Sequence, residues 1–401
     1  MENACPRGPR GFSIQTVRTL SGRKVSAVIP PNLYYEQGRR LGVEADWLDK
    51  ATAEVARLNS AGAYPLLSLA HLARETGATY SYLREVVSRT RDPYRSIAVP
   101  KTTGGVRAIS APEPILMDVQ RWLLDHVLDK LTSHPASYAY ERQTSIVQCA
   151  AQHLGANWMV KMDLHDFFGT VNEPSVYRIF RRLGYRKLLA FELTRITTRA
   201  EGARTASWRA QTAVIPSYAV AGVGVLPQGG PTSGTLANAA AARLDMFLQD
   251  LALSRRLTYT RYSDDLVFSG RTSFQRAEAQ SLVGEIAGLI RKAGFVIHRS
   301  KTRIVPPGAR RVVLGLLVDS SVRLLPEHRR RIEVHLRGCE KNGLARHAAH
   351  RGFDSVFSFV NHLDGWIAFA LGVERERALA WRQRFHRILD LEGLPNVGRA
   401  S

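Results

Sequence analysis

The sequence predicts an α+β fold: a body of helices and antiparallel hairpins, followed by a basic end that is helical throughout. Two tight-turn signals, Thr103-Gly104-Gly105 and Ser263-Asp264, each lie between runs of strand-like residues. Helical periodicity fills the spans between them, and from Glu327 onward it is the only pattern left. A chain of 401 residues has room for two or three domains. The expected division is an N-terminal extension over 1–60, a body over 61–320 and a helical domain over 321–401.

Residues 1–60 mix Pro, Gly and basic residues before a helix expected over Ala45–Leu58. Leu66, Leu67, Leu69, Ala70, Leu72 and Ala73 recur at helical spacing, and a second short helix follows near Tyr80–Val87. Ile97 to Lys101 and Val106 to Ile109 flank the Gly-Gly turn as a β-hairpin, closed by Pro112 and Pro114. An amphipathic helix is expected over Ile115–Leu131. The run Trp158 to Asp163 reads as a strand, after which Asn172 caps a helix with Pro174 in its first turn. Leu226 to Gly234 is a glycine-rich turn that leads into a helix over about 235–253. The Asp-Asp hairpin follows, then a helix over about 274–293, a strand Phe295-Val296-Ile297, and a hairpin opening with Val312 to Val318.

Lys and Arg number 56 against 35 Asp and Glu, an excess of 21 positive charges that bears on partners rather than on fold. Residues 291–350 alone hold 14 Lys/Arg and 4 Asp/Glu, a net +10. Such a segment is the electrostatic footprint of a phosphate backbone. Cys5, Cys149 and Cys339 are odd in number and far apart, which argues against a disulfide framework or a zinc site. No apolar run reaches signal-peptide or membrane-span length. The expectation is a cytoplasmic protein with no membrane partner.

The chemistry centres on Tyr262-Ser263-Asp264-Asp265 and on Asp163 upstream. A tight turn between two strands gathers carboxylates at one point. Two-metal phosphoryl transfer needs oxygen ligands around divalent cations about 3.5 to 4 Å apart, and carboxylates suit hard ions such as Mg2+. An Asp-Asp pair is also a common solvated turn, so the surrounding blocks carry the reading.

In order, those blocks are Val99-Pro100-Lys101 through Pro112, then Lys161-Met162-Asp163-Leu164-His165-Asp166-Phe167-Phe168, then Leu226-Pro227-Gln228-Gly229-Gly230-Pro231-Thr232-Ser233 with Leu236-Ala237-Asn238. Tyr259 to Asp265 and Gly294 to Thr302 complete the set. This order resembles a reverse transcriptase, and within that superfamily the retron-type enzymes of bacteria, over about Leu66 to Leu371. Two family marks are altered: Cys149-Ala150-Ala151-Gln152-His153 stands for Asn-Ala-x-x-His, and Val313-Leu314-Gly315 for Val-Thr-Gly.

The resemblance implies a right-hand polymerase, with fingers and palm built from an antiparallel sheet plus helices and followed by a basic helical thumb. It implies an RNA-directed DNA polymerase with two Mg2+ ions on Asp163, Asp264 and Asp265. Its substrates would be deoxynucleoside triphosphates, and its partners a noncoding RNA template-primer and the DNA product joined to it. A 2′-hydroxyl of the RNA would be the primer, and the system would serve antiphage defence, with room for a retron effector protein. Other bacterial reverse transcriptases, of abortive-infection or diversity-generating type, and a catalytically silent RNA-binding scaffold are the competing readings.

Phe168, five positions after Asp163, resembles the aromatic that excludes a 2′-hydroxyl; either it or Phe167 should be buried. Gln228 matches the residue that touches the incoming nucleotide. Lys101 and Arg107, on opposite arms of the first hairpin, suit contact with a triphosphate. Lys301 matches the lysine that protonates pyrophosphate, or is simply a charge at a strand end. Arg329, Arg330, Arg331 and Arg337 would follow a duplex backbone, Trp366 would pack in the thumb, and His153 would be a structural hydrogen-bonder.

Overall fold

A computed structural model describes residues 17–18, 24–25, 31–40, 42–100, 106–200 and 223–395. The described elements begin with β1 (Val17–Arg18), β2 (Lys24–Val25), α1 (Pro31–Arg40), α2 (Ala45–Ser60), α3 (Leu69–Thr76), α4 (Tyr80–Ser88), β3 (Tyr94–Pro100), β4 (Val106–Pro112) and α5 (Pro114–His126). They continue with α6 (Ile146–Ala151), β5 (Trp158–Asp163), α7 (Phe167–Thr170), α8 (Glu173–Arg182), α9 (Lys187–Thr197), α10 (Ser233–Ser254), β6 (Thr258–Tyr262), β7 (Asp265–Gly270) and α11 (Arg276–Lys292). The last are β8 (Arg303–Val305), β9 (Val312–Val313), β10 (Leu316–Val318), β11 (Val322–Leu324), α12 (Pro326–Asn342), α13 (Leu344–His350), α14 (Val356–Leu371) and α15 (Arg375–Leu391). Two compact units share them, one drawn from 1–134, 166–244 and 293–295, the other from 135–165, 245–292 and 296–401.

In the first unit, side-chain oxygens of Ser68, Thr79 and Asn172 accept from backbone N–H groups and start α3, α4 and α8, as small polar residues at these positions should. Leu72, Leu83, Val86, Leu116, Val119, Phe180 and Leu193 form its buried centre. The expected hairpin is present: β3 pairs antiparallel with β4 from Tyr94↔Pro112 to Pro100↔Val106. Its turn, with Lys101, lies outside the described residues. The helix expected over Ile115–Leu131 stops at His126, where the Leu128 N–H turns back to the Leu123 carbonyl and buries Leu128.

The second unit holds a four-stranded antiparallel sheet in the order β6-β7-β5-β8. Five of the six β5 residues are buried, because this strand has neighbours on both edges and cover on both faces. One apolar core runs from the sheet (Met159, Val267) through Val313 and Leu316 to Leu336, Phe359, Leu363 and Phe385 of the terminal helices. The strand expected over Phe295-Val296-Ile297 does not form. Ile297 makes only an isolated bridge to Leu164, and the edge strand comes later, at β8. The His165 N–H donates to the Val296 carbonyl and the His298 N–H to the Asp163 carbonyl, which ties this segment to the end of β5 without a ladder.

Candidate active site

Strand register places the carboxylates. Asp163 ends β5 directly opposite Asp265, the first residue of β7, and Asp265 also pairs with Tyr262 of β6. Directly opposed residues in an antiparallel pair have Cβ atoms about 4.5–5.5 Å apart. Asp264 sits in the two-residue turn between β6 and β7, beside Ser263, whose φ of 58° lies in the left-handed region usually given to glycine.

That conformation is held from several sides. Arg261 donates through Nη1 to the Ser263 carbonyl at 3.1 Å, and Tyr140 Oη shares a 2.9 Å hydrogen bond with Ser263 Oγ. The Arg261 guanidinium in turn grips Asp245 of α10 through Nε (2.7 Å) and Nη2 (2.6 Å). Both side chains have zero solvent exposure. Tyr259 donates to Asp245 as well, at 2.8 Å. A buried charge pair of this kind persists only when its remaining hydrogen bonds are made, and here they are made by residues in and just before the Ser263-Asp264 turn.

His153 fastens the two strands further back. Its Nδ1 lies 2.7 Å from Ser269 Oγ on β7 and its Nε2 2.8 Å from Thr260 Oγ1 on β6. Burial pushes the imidazole down to about 4, so it is neutral at physiological pH. Cys149, which replaces the Asn of the family mark, places Sγ 3.5 Å from the same Thr260 hydroxyl. The altered residue thus touches the same support. The other altered mark is also accounted for: Leu314 and Gly315, with φ of 50° and 77°, are the two-residue turn between β9 and β10.

Electrostatics concentrate at the carboxylates. Lys301 donates to Asp163 Oδ2 at 2.8 Å, and this bond raises the lysine pKa. Asp163 is 6% exposed, and its Oδ1 is buried with no hydrogen-bond partner. Burial raises the Asp264 carboxyl, with repulsion from Asp163 adding to it. Although the Asp265 side chain reaches solvent, loss of surrounding water and then the Asp264 and Asp163 charges push it up to about 6. Lys161, two residues before Asp163 and therefore on the same face of β5, is lowered by burial in spite of Asp265. Lys161, Asp245 and Tyr140 are further residues of this site to which the sequence alone attaches no role. For Lys161, period-2 alternation toward Asp163 was the available signal.

A divalent cation fits this donor set. The ligands are oxygens only, one buried carboxylate oxygen lacks a partner, and two neighbouring carboxyls are held above their ordinary range by burial, with like charge adding to it. The Lys301 ammonium supplies the positive charge at Asp163. Among the described residues no three His, Cys, Asp or Glu side chains converge as closely as a finished ligand shell.

The chain matches the family described as reverse transcriptase (RNA-dependent DNA polymerase) over residues 99–325. It is 31% identical over 320 residues to the retron Ec86 reverse transcriptase of Escherichia coli, covering 79% of this chain and 88% of that protein. To the retron Mx65 and Mx162 reverse transcriptases of Myxococcus xanthus it is 34% and 32% identical, covering 73% and 72% of this chain and 64% and 62% of theirs. The chain belongs to the retron reverse transcriptases. It is an RNA-directed DNA polymerase, and its family uses divalent metal ions. Among bacterial reverse transcriptases these relatives favour the retron reading over the abortive-infection and diversity-generating alternatives.

The remaining expected site residues of this reverse transcriptase lie as follows. Phe167 is buried against Phe295, with ring centroids 5.8 Å apart, while Phe168 is half-buried. Gln228 is half-buried in a turn whose carbonyl accepts from the Ser110 N–H of β4 at 2.8 Å. Gly229, at φ 123°, packs so closely that an added Cβ would lie 2.9 Å from Ile109 and from the Ser110 carbonyl oxygen. Arg107 is exposed on β4. On α12, Arg329 donates through Nε to Glu374 at 3.1 Å, Arg331 lies over Trp366 at 5.0 Å, Arg337 is 3.5 Å from Glu333, and Arg330 is exposed. Trp366 is partly buried against the terminal-helix core. Among the described residues no helix is long and apolar enough to cross a membrane.

Proposed function

We propose that this reverse transcriptase copies a cognate structured noncoding RNA, using it as both template and primer, into DNA that stays joined to it. The in-register pair Asp163 and Asp265, with Asp264 on the adjoining turn and an unpartnered Asp163 oxygen, carries the assignment of these three as ligands of two Mg2+ ions. When bound, such ions acidify the attacking hydroxyl and stabilise the leaving pyrophosphate. The protein's part is to hold three mutually repelling carboxylates at fixed positions before the cation arrives.

Lys301, drawn to Asp163 in the free protein, carries a proton suited to the departing pyrophosphate. The half-buried Phe168 is the residue assigned to exclude a 2′-hydroxyl, with Phe167 as its buried support. Gln228 is assigned to the nucleotide, Lys101 and Arg107 to its triphosphate. The region 321–401 is assigned as the thumb, where Arg330, Arg331 and Arg337 face the duplex; Arg329, taken by Glu374, serves as its brace. The resemblance further implies work in a defence system with an effector protein.

The deciding experiment is purification from cells carrying the native locus, followed by RNase and DNase treatment of the bound nucleic acid. A discrete species of RNA covalently joined to DNA, absent in an Asp264→Asn, Asp265→Asn variant, is expected. RNA alone, with no DNA made on addition of deoxynucleotides and Mg2+, overturns the reading.

A further inference from the structure

Charge that is dense in the sequence is not equally available in the fold. On α12 and α15 five of the nine arginines meet a carboxylate: Arg329 and Arg377 with Glu374, Arg337 with Glu333, Arg382 with Asp364, and Arg384 with Glu333 and Glu340. The corner between α8 and α9, in the first unit, is different. Residues 173–187 hold Arg178, Arg181, Arg182, Arg186 and Lys187 against Glu173, a net of 5 minus 1, or +4. Glu173 points inward, where Arg89 and Arg195 take it. All five cations are exposed.

Fold stability accounts for few of them. Arg181 reaches the Tyr185 carbonyl, and Arg186 shares the buried Glu54 with Arg57. Arg178, Arg182 and Lys187 have no acidic partner among the described residues. Arg186 and Lys187 also stand at the start of α9, where the helix dipole disfavours cations. Arg178, Arg181 and Arg182, at i, i+3 and i+4, share one face of α8. Val176, Ile179 and Phe180 anchor the opposite side in the core.

We propose that this corner is an RNA-binding surface, with Arg178, Arg181 and Arg182 contacting backbone phosphates of a folded part of the RNA. Arginine prevails here over lysine by four to one, and its planar fork matches phosphate oxygens in pairs. The surface rests on the reading that the chain holds a structured RNA.

The test uses the full chain, the Arg178→Gln, Arg181→Gln, Arg182→Gln variant, and a fluorescent, fully paired RNA hairpin bound across a salt series. Each lost phosphate contact lowers the slope of log affinity against log salt by about 0.9, so three contacts narrow the gap between parent and variant about 40-fold between about 50 and 200 mM salt. Primer extension on a short oligonucleotide primer-template should be unchanged, and the triple Lys variant should keep the parent slope. An unaltered slope overturns the surface, including the case where the variant instead loses capture of an acidic protein. Should the triple variant lose extension too, the single changes Arg178→Gln and Arg182→Gln decide, each expected to lower the slope by about 0.9. A parent that binds the hairpin with the expected slope but extends no primer sinks the polymerase reading and leaves this surface standing.

Discussion

The turn that carries Asp264 and the turn that carries Gln228 are built on opposite principles. The first presents charge and is braced by charge: Arg261 and Asp245, fully buried, hold Ser263 in a left-handed conformation that serine adopts at a cost. The second presents no charge and is braced by shape, through one backbone hydrogen bond from Ser110 and a glycine that leaves no room for a side chain. Asp163, Asp264 and Asp265 lie close enough for their charges to repel one another, so their support must resist a force. The Gln228 turn needs only close approach.

The sharpest way to break this comparison is Asp264→Asn. Loss of this carboxylate, a proposed cation ligand, should lower primer extension by roughly 10³-fold or more. Thermal stability should not fall, because one member of a repelling cluster has gone; a variant that keeps full activity, measured by single-turnover extension, would remove Asp264 from the metal site.

Next in size is Arg261→Met. It leaves Asp245 buried without its cation, a situation that costs about 3–5 kcal/mol. Denaturant unfolding should show that loss, and Arg261→Met combined with Asp245→Leu should restore most of it. If the single change is silent, charge is not what braces this turn.

On the other turn, Gly229→Ala forces a Cβ against the Ser110 carbonyl at a φ that favours glycine. The strain, about 1–3 kcal/mol, should emerge as a raised KM for deoxynucleotides with little change in kcat. An equal fall in kcat would show that the two turns are not separately built.

Acid should loosen the first turn through His153. Its folded value of about 4 lies below the ordinary 6.5, so the unfolded chain binds more protons between these limits. The His153 contribution is therefore full above about pH 6.5 and is lost as pH falls toward 4. From pH 7 to pH 5 the loss is about 2 kcal/mol, and His153→Gln should flatten that part of the stability profile.

Much of the site was legible in local pattern. Alternation on either side of Ser263-Asp264 determined a hairpin, and with it the meeting of Asp264 and Asp265 at one edge. The Asn172 cap, the Gly-Gly hairpin signal and the Phe167/Phe168 split followed from the same short-range rules. The strand Phe295-Val296-Ile297 failed because an apolar triplet is compatible with a strand but does not require one; the Val296 carbonyl is taken by His165 and the N–H of the following His298 by the Asp163 carbonyl, which leaves a single bridge and no ladder.

What the tertiary structure alone decided is which groups are partners. Lys301 and Asp163 are 138 residues apart, His153 and Thr260 107 apart, and Arg261 and Asp245 16 apart. Nothing in local periodicity encodes such pairs, since each depends on which faces the packed core turns toward one another. The same holds for charge. The sequence determined that this protein is strongly basic, whereas folding decided that Arg329 is spent on Glu374 and that Arg178 and Arg182 are left facing water.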